Sequence, residues 1–322
     1  MRTTIASDVA REYCRQFPHA STHQLSRMLA KQEPRLFTDA TKARDVVRWV
    51  RGQRRNKRGA AVKQAVPKLE LPKAEPSQFR VVPLVTGLRY LVLSDVHLPY
   101  HDAGALLAAC EYGEAAKCNA ILLLGDILDC YSLSHYERDP RARSFASELE
   151  SMGQLIDYLN HAFTPRAFYW KLGNHEHRYH RYMMQHAPEL VGVPQFGWSS
   201  FLDLERRKVT LVDENHVLRC GHLTLLHGHE WGGGLSSPVN PARGAFLRAT
   251  SCTLSGHLHR TSQHNEQPLS GGLIGNWSLG CLCDLHPRYA TLNKWNHGFA
   301  ILDTSKSWTV RNLRIVDGEV ME

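Results

Sequence analysis

The sequence predicts an α/β chain: a parallel sheet covered by helices, continued by a mostly β second half and preceded by a small helical unit. Three observations predict it. Between Arg89 and Gly173, apolar strand-like runs alternate with amphipathic stretches, the pattern of βαβ units. After residue 205 helical periodicity thins and short strand-like runs follow one another. Residues 1–80 carry 18 Lys+Arg against 7 Asp+Glu, whereas the remainder carries 21 against 24. The net charge of +8 therefore belongs to the N-terminal quarter, an asymmetry that suggests a polyanionic partner.

In chain order, Ser7 is placed to cap a helix running to about Phe17. Ser21 and Gln24 form a capping-box pattern for "THQLSRMLAKQE", with Leu25, Met28 and Leu29 on one face, and Pro34 stops it. Thr38 is expected to cap a third helix, "DATKARDVVRWVRG", with Ala43, Val46, Val47 and Val50 inward. Lys42, Arg44, Arg48 and Arg51 are left for its other faces, followed by Arg54, Arg55, Lys57 and Arg58. Residues 1–58 read as a basic helical domain, helix-turn-helix-like in outline although "EPRLF" is long for its turn, with nucleic acid as the expected partner. The competing reading is a helical appendage with a solvated charged face. Residues 59–87 contain Lys, Arg and Pro without periodicity and read as a linker. Residues 88–322 form the second domain.

In that domain "RYLVLS", "AILLLG" and "AFYWKLG" are strands. The helices between them are "AGALLAACEYGEAAK" and "ASELESMGQLIDYLNHA", the latter with Leu149, Met152, Leu155, Ile156 and Leu159 at helical spacing. Further strands are expected at 208–213, 216–227, 251–256, 272–280, 298–303 and 307–316. The apolar runs are strand-sized, far short of the roughly 20 residues of a membrane span, so no membrane partner is expected. The N-terminus shows no apolar signal-peptide core. Eight cysteines occur without a CxxC pair, which predicts a reducing cytoplasmic setting and no Cys-ligated zinc.

The polar residues at the strand ends carry the chemistry. The first strand runs into Asp95 and His97, the second into Asp126 and Asp129, and the third into Asn174 and His175. "LTLLHGHE" then supplies His227 and His229, and "SCTLSGHLHR" supplies His257 and His259. The carboxyl ends of parallel strands open onto one crevice, so these side chains should converge. Carboxylate and imidazole donors suit divalent Mn, Fe, Zn or Ni, and the lack of thiolates argues against a structural zinc. Two ions about 3.5–4 Å apart can clamp a phosphate, generate hydroxide and stabilise an in-line displacement. Glycines before Asp126, Asn174 and His257 permit close backbone approach.

The ordered set "DVH", "GDILD", "GNHE", "HGH" and "GHLH" resembles the calcineurin-like metallophosphoesterase superfamily over roughly residues 88–316. The resemblance implies a two-sheet mixed β-sandwich flanked by helices, with a two-metal site at one edge. It implies that Asp95, His97 and His259 bind one ion, that Asn174, His227 and His257 bind the other, and that Asp126 bridges them. His175 would help position the phosphate and protonate the leaving oxygen. Asp129 would hold a ligand histidine in its working tautomer. Manganese is expected, with Fe, Zn, Ni or Mg as alternatives. Protein Ser/Thr phosphatases of this superfamily carry a phosphate-gripping Arg shortly after the second motif's last Asp, and "GDILDCYSLSHY" has none. Substrate contacts are expected instead from His135, Arg178 and Arg243, with Tyr136, Arg138, His177, His180, Arg181 and Trp231 nearby in sequence. The expected function is a phosphodiesterase acting on nucleotides or nucleic acid. The alternatives are a phosphomonoesterase, including a Ser/Thr protein phosphatase, and a non-catalytic nucleic-acid-binding protein.

Overall fold

The structure, a computed structural model, describes residues 4–53, 72–76, 79–135, 139, 144–232, 239–269 and 271–322. The chain divides into two units, Met1–Pro76 and Ser77–Glu322.

The first unit holds α1 (Ile5–Gln16), α2 (Thr22–Gln32) and α3 (Ala40–Val50). The capping box of α2 forms: Gln24 N donates to Ser21 Oγ at 3.1 Å, and Ser21 N to Gln24 Oε1 at 2.8 Å. Two expected caps differ. Thr4 precedes α1, and Ser7 sits in its first turn, donating to Thr4 O at 2.7 Å. Asp39 rather than Thr38 caps α3, accepting from Thr41 N and Lys42 N at 2.8 Å each. A carboxylate next to the helix is the stronger acceptor there, because it also meets the positive end of the helix dipole. Ala10, Leu25, Leu29, Phe37, Ala43, Val47 and Val50 form the core of this unit. Arg51 departs from its expected place on an outer face. Its guanidinium donates to Ala20 O at 2.7 Å and Thr22 Oγ1 at 3.2 Å, tying α3 to the start of α2. Lys42, Arg44 and Arg48 are exposed. Arg54, Arg55, Lys57 and Arg58 lie outside the described residues.

The second unit contains β1 (Arg80–Pro83), β2 (Arg89–Leu93), α4 (Ala103–Ala115), β3 (Ala120–Leu124), α5 (Phe145–Phe163), β4 (Phe168–Lys171), α6 (Glu176–His186) and α7 (Trp198–Phe201). There follow β5 (Thr210–Val212), β6 (His216–Cys220), β7 (Leu223–Leu226), α8 (Pro241–Ala249), β8 (Thr253–Ser255), β9 (Ser262–Glu266), β10 (Ile274–Ser278), β11 (His297–Asp303), β12 (Thr309–Val316) and β13 (Glu319–Met321). Two mixed sheets result, with strand orders β1-β6-β7-β8-β10-β9 and β13-β12-β11-β2-β3-β4-β5. The fold is the helix-flanked mixed sandwich expected above.

The register explains the core. Tyr90 and Val92 alternate with Leu91 and Leu93 along β2. The first pair joins Leu122, Leu218, Leu225 and Leu254 in one apolar cluster, drawn from both sheets. The second pair joins Ile121, Leu123, Met152, Ile156 and Leu159, and so faces the helices. Every residue of β3 is buried, which is why "AILLL" is a continuous apolar run rather than an alternating one. The expected linker ends early: Arg80–Pro83 pairs in parallel with His216–Arg219 at a sheet edge. Four residues are too few to show a period. The single strand expected over 216–227 is a hairpin, broken at Gly221, whose φ is +56°.

Strands β2 to β5 run parallel in one sheet, and β7 and β8 run parallel in the other. The loops that leave β2, β3, β4, β7 and β8 carry the polar residues singled out above. Among the described residues no helix is long and apolar enough to cross a membrane.

Candidate metal centre

The five loops meet through close backbone packing. A Cβ at Gly173 would collide with Asp126, and one at Gly256 would collide with Ser94 and Asp95. Asp95, His97, Asp126, His257 and His259 have φ of 54°, 51°, 51°, 69° and 53°. Such left-handed conformations cost free energy in non-glycine residues and cluster where a site demands them.

The donors are pre-set. His227 Nδ1 lies 2.8 Å from Leu124 O, an acceptor only, so its proton sits on Nδ1 and Nε2 offers a lone pair. His97 Nδ1 lies 2.9 Å from Asp129 Oδ1, which sets the same tautomer. His257 N donates to Asp95 Oδ2 at 3.0 Å, and His175 N donates to Asp126 Oδ1 at 2.8 Å.

The lone pairs then crowd one another. His227 Nε2 stands 3.0 Å from Asp126 Oδ2, and His259 Nε2 stands 3.1 Å from Asp95 Oδ1 and 3.2 Å from His97 Nε2. Asn174 Oδ1 and His227 Nε2 are buried and, among the described residues, have no hydrogen-bond partner. Burying acceptors without a donor is costly, and cations shared among them remove that cost. Asp126, His227 and His257 each place a ligand atom within 4.8 Å of the others, as do His97, Asp126 and His175. Asp126 belongs to both groups. The donor set fits divalent cations.

A profile of the calcineurin-like phosphoesterases matches residues 88–260. The chain belongs to this family. It is a metal-dependent hydrolase of phosphoric esters, and its family characteristically binds a pair of divalent ions. The Gene 54 protein of Mycobacterium phage L5 is 26% identical over 231 residues, spanning 66% of this chain and 88% of that protein. Among solved structures, Yfce, a phosphoesterase from E. coli, is 15% identical, with 73% of this chain and 97% of that one aligned at a TM-score of 0.34. A dimetal phosphatase from Danio rerio is 12% identical, with 74% and 98% aligned at a TM-score of 0.38.

Around the centre of this phosphoesterase stand residues whose roles the motifs do not spell out, the Glu of "GNHE" among them. Glu176, fully buried, accepts from Asp126 N, Ile127 N, Leu128 N and Gly173 N at 3.0, 2.7, 3.0 and 2.8 Å. One carboxylate thus ties the second motif's loop to the third's. Glu148 of α5 accepts from Cys130 N at 2.7 Å and Tyr131 N at 3.2 Å, fixing the turn after Asp129. Cys283 Sγ lies 3.8 Å from His259 Nδ1, so a thiol does stand at the centre, on the far side of a donor histidine. A Cys-x-Cys pair separated by one residue falls outside the CxxC pattern used to dismiss the cysteines. All eight are free thiols.

The expected substrate contacts separate. Arg178 donates from Nη1 to Asp129 O at 2.9 Å and from Nη2 to His175 Nε2 at 3.0 Å. A guanidinium therefore reaches Asp129, the last Asp of the second motif, from α6. His175 Nδ1 lies 3.0 Å from Asp129 Oδ1. Arg243 is exposed on α8 and lines neither cavity described below; Arg248 takes that place, because it shares a helical face with Pro241, Gly244 and Ala245. His135 lies 3.3 Å from Arg181 Nη1 and also lines neither. His177 pairs with Glu214 at 3.6 Å, away from the donors. Tyr136 and Arg138 lie outside the described residues.

Proposed function

We propose that this phosphoesterase is a dinuclear phosphodiesterase acting on nucleotides or nucleic acid. The observation that supports the reading is a pair of cavities that share no residue, one at each end of the donor cluster. The larger, about 600 Å³, opens beside His97 and Asp129. The smaller, about 360 Å³, opens beside Asn174 and His257 and is walled by His229, Trp231 and Arg248. A monoester needs room for a substituent on one side of phosphorus; a diester needs it on both.

In this reading Asp95, His97 and His259 would hold one ion and Asn174, His227 and His257 the other, with Asp126 available to both. Oxygen and nitrogen donors suit Mn²⁺. The pair would supply Lewis-acid charge to the phosphoryl oxygens and activate water. His175 delivers a proton from Nε2 to the leaving oxygen while Asp129 holds its Nδ1–H. A protonated Nε2 has no lone pair for Arg178 Nη2, which frees that edge of the guanidinium to grip the phosphate.

The first unit supplies affinity. Lys42, Arg44 and Arg48 present three cations along α3, and contacts to phosphates would make binding fall with salt. Mn²⁺-loaded protein tests the chemistry: faster hydrolysis of bis-p-nitrophenyl phosphate than of p-nitrophenyl phosphate agrees with a diesterase, and the reverse assigns it to monoesters. Filter binding to DNA and RNA across a salt series, with and without residues 1–76, tests the partner. Equal affinity of the two forms removes nucleic acid from that unit.

A further inference from the structure

We propose that the larger cavity is a nucleobase subsite for the substrate, an inference that rests on the phosphodiesterase reading above. Three tyrosines, Tyr100, Tyr131 and Tyr289, line it together with His97 and Asp129. The rings of Tyr100 and Tyr131 meet edge to face at 6.0 Å and 70°, which makes a stiff aromatic corner. Trp295 stands 4.2 Å from the ring of His259 and 6.3 Å from that of Tyr289. An aromatic wall thus runs from a donor histidine of the centre out to the cavity mouth.

The wall is built, not incidental. Asn293 Nδ2 lies 2.6 Å from both Leu285 O and Ala290 O, and Trp295 N donates to Asn293 Oδ1 at 2.8 Å. Asn296 N donates to His259 O at 3.0 Å, which ties the segment between β10 and β11 to the metal-side loop. This order holds Tyr289 in place although it is 70% exposed. A single exposed tyrosine is ordinary. Three converging on one cavity that shares Asp129 with the proton donor are not explained by packing.

The chemistry chooses the ligand. Aromatic faces bind nucleobases by stacking whatever their sequence, and a cavity of about 600 Å³ falls in the range of small-molecule sites. Asp129 both lines this cavity and lies 3.0 Å from His175 Nδ1. The tyrosine cavity and the proton donor thus share Asp129, so a base held there sits beside the reacting centre. The base is carried either by a free nucleotide or by the end of a single strand.

Adenosine tests the subsite without phosphate, metal or turnover. Saturation-transfer NMR on its H2 and H8 should show binding to the full-length protein, while ribose should bind at least about 10-fold more weakly, the loss of one stack. Tyr289→Ala should weaken adenosine about 10-fold and Tyr289→Phe should restore it, with thermal melting checking that each variant folds. Competition by an oligothymidylate separates the two sources, and either result accords with a base subsite. Equal binding of adenosine and ribose, or wild-type binding by Tyr289→Ala, overturns the proposal. Hydrolysis of bis-p-nitrophenyl phosphate reports on the phosphodiesterase reading separately, so the failure of one is not mistaken for that of the other.

Discussion

Lys171 Nζ lies 3.0 Å from Glu230 Oε1, and the lysine side chain has no solvent exposure. Glu230 in turn accepts from His227 N at 3.1 Å and Gly228 N at 2.6 Å. The lysine that ends β4 therefore steadies the turn that presents His227. Removing one partner of a buried pair strands the other charge, so Lys171→Met should cost about 3–5 kcal/mol. Urea unfolding measures it; unchanged stability would show the pair contributes nothing.

Glu176→Gln keeps the shape but turns an amide NH₂ toward backbone N–H donors. Four N–H groups now share its oxygens. The variant should lose about 1–3 kcal/mol, the usual cost of a stranded buried donor. It should also bind Mn²⁺ more weakly, because Asp126 and Asn174 sit on the two loops it joins. Calorimetric titration of metal gives the check, and wild-type affinity would contradict it.

His175→Ala should retain two equivalents of Mn²⁺ while kcat falls about 10²–10⁴-fold, most for poor leaving groups. Elemental analysis and kcat are read on the same sample. Loss of metal would make His175 a ligand instead, and unchanged kcat would remove it from proton transfer.

Asp303 closes β11 against β2. Hydrogen bonds from Ser305, with Arg89 beside it, hold its carboxyl at about 2, below its ordinary 3.8. A depressed carboxylate stabilises the fold above its ordinary pKa and loses that contribution as pH falls from 3.8 toward 2. Partial exposure limits the effect to about 1 kcal/mol. Asp303→Asn should thus be less stable than the parent at pH 7 and equal to it near pH 2. A difference that persists at pH 2 would place the effect in packing rather than charge.

The fold was readable where runs were long: "AILLL" and the amphipathic α5 announce themselves by composition and period. Strands β1, β9 and β13 were not, since three to five residues without strict alternation carry no periodic signal. The donor residues were readable because each follows an apolar strand in a recognisable order. Glu176 and Glu148 were not, since an acidic residue on a helix usually faces solvent, and only tertiary packing aims these two at loop amides. Arg178 was expected to contact substrate; that its guanidinium bonds Asp129 and His175 depends on how α6 packs, which no local pattern states.

The candidate ligands come from both sheets: Asp95, His97, Asp126 and Asn174 follow strands of one, and His227, His257 and His259 follow strands of the other. An ion held by both groups would be a rivet through the sandwich, joining segments more than a hundred residues apart along the chain. Its binding free energy then counts as folding free energy. Chelation would then be a mechanical operation as well as a chemical one, loosening the seam between the sheets at the candidate metal centre.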